Sequence, residues 1–368
     1  MKILISCIPF DQGKSGISVY TAKIVEELSR LGHELVLFTE HDAADSFRGF
    51  NVIPLPKWTG KPLISMLYHL FILPLKVKRQ QCDFCIIAGG NRRAFSYMPT
   101  FTITVVHDLA QYHVAEKYDP LRMFYLKKVL PTFVRRTSAV VAISRSTALD
   151  LERFWKVAPE KIHINFNGLT IPSGQHPGWL NRFNLQPGRY ILYLSRIQHP
   201  GKNHVNLIKA FEMLPEQLKN EYYLVLGGAD WDGATEVHRY AKNSDCAERI
   251  IFTDFIDSTN LEEAYRNAAV YVFPSLFEGF GLSLIEAMHY EVPCCCSDNS
   301  SLGEIGRDAA LLFNPESPDE IAAALKRILS ENELRQQLIA AGKLRAAEFS
   351  WREHALKLVQ IYENSHRS

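Results

Sequence analysis

KILISCIPFDQGKSGISVYTAKIVEELSRLGHELVLFT, residues 2–39, decides the fold. An apolar segment of strand length runs from Lys2 to Ile8, and a polar, glycine-bearing loop from Asp11 to Ser18 follows it. Ile17, Tyr20, Ile24, Leu28 and Leu31 then recur every three or four residues, a helical stripe that stops at Gly32. Glu34 to Thr39 reads as the next strand. Strand, loop, helix, strand is the βαβ unit of a parallel sheet, which predicts an α/β fold. The opening run is short and is broken by Pro9 and Asp11, with no small-residue cleavage site after it. It therefore reads as a buried strand rather than a leader peptide.

The same rhythm continues. Apolar strands are expected at 84–88, 101–106 and 139–143, and the register restarts near Tyr190. Strands follow at 190–195, 222–226, 250–253, 270–274 and 292–297, with a helix at 204–214 and a long helical stretch after Asp319. Residues 172–188 are rich in Pro and Gly and lack periodicity. The expectation is two Rossmann-like, doubly wound parallel-sheet domains over 1–169 and 189–349, a linker over 170–188, and a helix over 350–368 crossing back to the first domain. Ligands are expected in an interdomain cleft, at the carboxyl ends of the strands.

At 368 residues the chain is too long for one core, and 47% hydrophobic with 22% charged residues is ordinary for a globular protein. The net charge of +1 hides an asymmetry: 22 Lys+Arg against 14 Asp+Glu (+8) over 1–169, and 19 against 26 (−7) over 170–368. A basic first half fits an anionic partner such as a lipid phosphate or an anionic membrane surface. Two basic, aromatic stretches there, 66–79 and 122–136, are candidates for interfacial helices. No stretch reaches the roughly 20 apolar residues needed to span a bilayer. Seven cysteines, an odd count, fit a reducing cytoplasm. Cys82 and Cys85 have no second ligand pair, and Cys294 to Cys296 read as core strand residues.

The chemistry concentrates in the second half. After the strand ending at Pro274 comes Ser275-Leu276-Phe277-Glu278-Gly279-Phe280-Gly281, and an amphipathic helix begins near Gly281. The backbone N–H groups of Gly279, Phe280 and Gly281 at that helix start make a site for a diphosphate, and the glycines allow close approach. Glu286 lies eight residues beyond Glu278, about 12 Å at helical rise, a span from sugar to ribose. Ser195-Arg196 after one strand and Lys202-Asn203 before the next helix bring two cations to the same edge. There they would neutralise a departing diphosphate.

EGFGLSLIEAM over 278–288, the Arg196…Lys202-Asn203 pair and Asn167-Gly168 resemble the retaining glycosyltransferases of family 4. This is the large GT-B group of bacterial mannosyl- and glucosyltransferases and sucrose-synthase-type enzymes. The likeness spans nearly the whole chain and is most specific over 190–315. The segment between Arg196 and Lys202 is one residue longer than the commonest spacing. The resemblance implies that Arg196 and Lys202 bind the donor diphosphate and that Glu286 holds the ribose. Glu278 with the Gly279, Phe280 and Gly281 amides would position sugar and phosphate. It also implies a glycine loop at Gly13 to Gly16, a donor-sugar contact from His107, and a base site at Phe255 and Ile256. The implied reaction moves a hexosyl group from a nucleotide-sugar donor, GDP-mannose or a UDP-sugar, to a glycan or lipid-linked acceptor. It proceeds with retention, needs no metal or cofactor, and touches no nucleic acid.

Other signals are set aside. Asp230-Trp231-Asp232 matches a metal-holding DxD pattern, but Arg196 and Lys202 already supply counter-charge. Gly13-x-x-Gly16 is not a dinucleotide fingerprint, and the P-loop pattern is absent. Two alternatives stand beside the transferase: a nucleotide-sugar epimerase on the same scaffold, and a non-catalytic nucleotide-sugar-binding protein.

Overall fold

In the computed structural model, residues 1–13, 15–114, 119–171 and 178–367 are described. They form two compact units, Met1–Gly168 with Ser350–Ser368, and Leu169–Phe349. The first unit holds β1 Lys2–Ser6, β2 Glu34–Thr39, β3 Asn51–Pro54, β4 Phe84–Ile87, β5 Phe101–Val106, β6 Ala139–Ala142 and β7 Ile162–Ile164. The second holds β8 Tyr190–Leu194, β9 Tyr223–Gly227, β10 Ile250–Phe252, β11 Val270–Phe273, β12 Cys294–Ser297 and β13 Leu311–Phe313. All pairings within the two sheets are parallel.

Strand order is β3-β2-β1-β4-β5-β6-β7 in the first unit and β10-β9-β8-β11-β12-β13 in the second. Each sheet grows outward in one direction from its first strand and then reverses, which fixes a switch point between β1 and β4 and another between β8 and β11. At such a point the loops leaving the strand ends part and leave a hollow. The central strands are apolar on both faces because helices cover both sides.

Two local features position the first unit's loops. Pro74 lacks an N–H, so the carbonyl of Leu70 four residues earlier receives none from it, and the helical stretch 62–79 passes through a π-helical turn, Tyr68–Ile72. That carbonyl accepts instead from Ser96 N–H at 2.8 Å. The preceding residue, His69, buried and pushed down to about pKa 3 by desolvation, is neutral. Its ring nitrogens join Ser6 Oγ at 2.8 Å and the Ala94 carbonyl at 3.1 Å. The segment after β4 is thus fastened to the helix.

The terminal helix Trp351–Arg367 belongs to the first unit. His354 is buried and neutral, its pKa lowered to about 4 by burial. It accepts from the Tyr20 hydroxyl at 2.8 Å and donates to the Phe166 carbonyl at 2.8 Å. Gly168 is glycine because a Cβ there would lie 2.2 Å from the Trp351 nitrogen.

The stretch expected as a linker differs in part. Residues 178–188 carry a short helix, Trp179–Arg182, whose first N–H groups are capped by Glu263: Gly178 at 3.0 Å and Trp179 at 2.8 Å. Its Trp179 packs into the second unit beside Tyr190, so this half is part of that unit. Residues 172–177 lie outside the described ones. Three strands were not expected: β3, β7 and β13 are edge strands of three or four residues and are partly exposed.

Candidate functional site

The loops leaving β8 and β11 meet at the second unit's switch point. Leu276 N–H donates to the Gly201 carbonyl at 3.0 Å. Asn203, in the left-handed conformation at φ 61°, opens helix His204–Glu212. Its side-chain amide donates to the carbonyls of Pro274 at 2.9 Å and Pro315 at 2.7 Å. The buried Tyr193 hydroxyl donates to the Lys202 carbonyl at 2.9 Å and lies 3.0 Å from Ser275 Oγ. The result is that Lys202 Nζ stands 2.5 Å from Glu278 Oε1, with both side chains less than one-fifth exposed.

The turn is held from its other side as well. Glu278 N–H donates to Ser300 Oγ at 3.1 Å, Ser301 Oγ donates to the Glu278 carbonyl at 2.9 Å, and Asn299 donates to the Leu276 carbonyl at 2.8 Å. The chain then enters helix Leu282–His289 through Gly281, at φ 113°, where a Cβ would meet Leu302 at 2.8 Å. Among the described residues, the N–H groups of Gly279 and Gly281 have no hydrogen-bond partner. They are donors at a helix start, the arrangement that receives phosphate oxygens. The side chain of Phe280 is buried beside Phe349, ring centroids 5.6 Å apart, and serves as an anchor.

Glu286 does not lie two helical turns from Glu278. Glu278 precedes the helix, so the helical rise of about 1.5 Å per residue applies only from Leu282 onward. Glu286 accepts from the Tyr265 hydroxyl at 2.9 Å. Burial pushes its carboxyl up to about 7, against the lowering effect of that hydrogen bond.

The other expected residues scatter along the same edge. Arg196 is exposed and stacked over Trp231 at 5.0 Å, and forms no salt bridge among the described residues. Phe255 and Ile256, after β10, diverge: Phe255 is 65% exposed, while Ile256 is buried beside Gly227. They do not act as one surface. Asp230 of the DxD pattern is bound by His238 at 2.8 Å. Among the described residues no cluster of three metal-ligating side chains exists.

In the first unit, His107 follows β5 and its Nε2 meets the Ala88 carbonyl at 2.7 Å. Burial lowers its pKa to about 4, so the ring is neutral and stands edge-on to Tyr20 at 4.8 Å. Gly13, at φ 87°, lies in the exposed loop after β1, and Gly16 is the first residue of helix Gly16–Arg30. Lys14 between them lies outside the described residues.

Residues 14–171 match the family described as Glycosyltransferase Family 4, and residues 181–345 match Glycosyl transferases group 1. This chain is a family 4 glycosyltransferase. The transferase is 25% identical over 387 residues to O-antigen chain mannosyltransferase B of Escherichia coli, covering 99% of this chain and 100% of that one. It is 30% identical over 266 residues to the serotype-specific mannosyltransferase WbdA of Escherichia coli, covering 69% of this chain and 32% of WbdA. The chain therefore matches about a third of WbdA's length. The fold is GT-B: a sucrose-phosphate synthase from Thermosynechococcus elongatus superposes with a TM-score of 0.76 at 20% identity, covering 100% of this chain and 99% of that one.

Sequence reasoning missed Tyr265, Trp231 and the run Asn299-Ser300-Ser301. The last carried a legible signal, a cluster of helix-capping residues after a strand. Tyr265 and Trp231 carried none.

The raised Glu286 carboxyl has a consequence for the transferase. Folded, it keeps its proton up to about pH 7, whereas unfolded it loses it near 4.5. The stability it contributes is present below the lower value and is lost as pH rises to the upper one. Thermal melts from pH 4.5 to 7 should therefore show wild type losing stability relative to Glu286→Gln. Parallel curves would contradict the assignment.

Proposed function

We propose that the transferase moves a mannosyl group, from GDP-mannose or a UDP-sugar, onto a glycan or lipid-linked acceptor in surface polysaccharide synthesis, with retention at the anomeric carbon. The observation that carries the reading is Lys202 paired with Glu278 beside the unpartnered Gly279 and Gly281 amides. The names of the mannosyltransferase relatives support the choice of sugar.

In the ligand-free protein Lys202 is neutralised by Glu278. A donor diphosphate offers Lys202 a better anionic partner and fills the glycine amides, which frees Glu278 to accept hydrogen bonds from sugar hydroxyls. Arg196 leaves its stack on Trp231 to add a second cation as negative charge grows on the leaving group. Glu286, braced by Tyr265, accepts from the ribose hydroxyls. The acceptor oxygen then attacks the anomeric carbon on the face from which the phosphate departs. The bond to the phosphate oxygen breaks, and that oxygen takes the acceptor proton. No protein carboxylate forms a bond to the sugar. Neutral His107 is suited to hydrogen-bond a sugar hydroxyl and unsuited to act as an acid. Counter-charge comes from the two cations, so the reaction runs without a metal.

The acceptor side supports contact with an anionic membrane. No described helix is long and apolar enough to cross one. Over 62–79, however, Leu63, Leu67, Phe71 and Leu75 recur at intervals of four and are all half exposed, with exposed Trp58 close by in sequence. Lys57, Lys61, Lys76, Lys78 and Arg79 flank this stripe, the composition of a helix that lies in a lipid interface.

Lys202→Ala should lower kcat by a factor on the order of 10²–10³ while melting lower than wild type but staying folded at the assay temperature, and chelation with EDTA leaves the wild-type rate unaltered. Wild-type turnover in the variant refutes the phosphate role, and a rate lost to EDTA refutes the metal-free one. In sedimentation with vesicles, the protein should bind anionic more than zwitterionic lipid, and Phe71→Glu with Leu75→Glu should release it. Equal binding to both lipids would rule out the membrane assignment.

A further inference from the structure

The segment after β4 in the first unit holds two cations that form no salt bridge among the described residues. Arg92 and Arg93 follow Gly89-Gly90, and both N–H groups donate to the Gly89 carbonyl at 2.9 Å. Gly90 fixes the path: its N–H donates to the Val105 carbonyl at 2.7 Å, and a Cβ there would lie 2.3 Å from Thr104. The Nε atoms of Arg92 and Arg93 are buried without a hydrogen-bond partner, as are Asn91 Oδ1 and the Tyr125 hydroxyl. The Arg93 guanidinium reaches only the Arg92 carbonyl at 3.2 Å and Ser65 Oγ at 3.5 Å. Neither arginine forms a salt bridge among the described residues.

A buried cation without an anion costs several kcal/mol, and buried polar atoms are ordinarily satisfied. Here several unsatisfied polar groups gather at the carboxyl end of β4, beside the first unit's switch point, where this fold class binds ligands. The charges acting on Arg93 are those of Arg92 and Arg122, the Tyr125 hydroxyl and Glu40. Glu40 is the one carboxylate among them. It is engaged by Phe10 N–H at 2.9 Å, and burial holds its pKa above the usual carboxylate range, which weakens its opposition to an anion. The segment is braced by His69 and the Leu70 carbonyl, so the arginines are presented by rigid backbone.

We propose that Arg92 and Arg93, with Ser65 and the Tyr125 hydroxyl, form a subsite for a phosphoryl group carried by the acceptor. Two guanidinium groups suit phosphate oxygens, which take paired N–H donors from the planar fork. The word acceptor rests on the transferase reading; the anion site does not.

Calorimetric titration of the full chain with octyl phosphate, inorganic phosphate and uncharged octyl glucoside tests this. Octyl phosphate should bind wild type and Lys202→Ala alike and should lose at least about tenfold in affinity for Arg92→Gln and for Arg93→Gln. Octyl glucoside should not distinguish the proteins. Arg93→Lys, which keeps the charge but not the fork, should bind octyl phosphate more weakly than wild type, and it serves if the glutamine variant fails to fold. Tighter binding of octyl than of inorganic phosphate assigns the group to an apolar carrier; equal binding assigns it to phosphate alone, and either supports the subsite. Unchanged affinity in both arginine variants, or its loss in Lys202→Ala, overturns it. Nucleoside diphosphate binding to Lys202→Ala, measured alongside, tests the donor reading separately.

Discussion

The reversal of strand order between β8 and β11 is the constraint from which the donor half follows. It sends two loops out at one edge of the sheet, and Asn203 ties them there by spending both side-chain donors on the carbonyls of Pro274 and Pro315. That tie, with the Leu276–Gly201 and Tyr193 hydrogen bonds, brings Lys202 to Glu278 across 76 residues of chain. Asparagine suits the position twice over: it tolerates the left-handed backbone that opens the helix, and its amide offers two hydrogens.

Lys202 and Glu278 balance each other's charge within the hollow. A lysine and a glutamate each shielded from solvent would be costly alone, and breaking such a pair by removing one partner is strongly destabilising. Held together, each neutralises the other. The same logic exposes the contrast in the first unit, where neither Arg92 nor Arg93 forms a salt bridge among the described residues.

Much of this was legible in the sequence, for a physical reason. Strands buried on both faces must be continuous apolar runs, so 2–8, 34–39, 101–106 and 190–195 declare themselves. β3, β7 and β13, edge strands of only three or four residues and partly exposed, are too short to stand out. The glycine turn was readable because Gly281 is forced by both its φ and its neighbour Leu302. The pairing of Lys202 with Glu278 was not, since it depends on sheet order rather than spacing. The helical rise counted over 278–286 applies only from Leu282 onward, because Glu278 stands in the turn before the helix. Grouping Phe255 with Ile256 failed because side chains of successive residues in extended backbone point opposite ways.

A crystal structure of the full chain with a nucleoside diphosphate bound is the most direct measurement. The diphosphate oxygens should lie within hydrogen-bonding distance of the Gly279 and Gly281 nitrogens and of Lys202 Nζ, with the Lys202–Glu278 pair opened. A nucleotide seated elsewhere, with that pair intact and those amides untouched, would contradict the account.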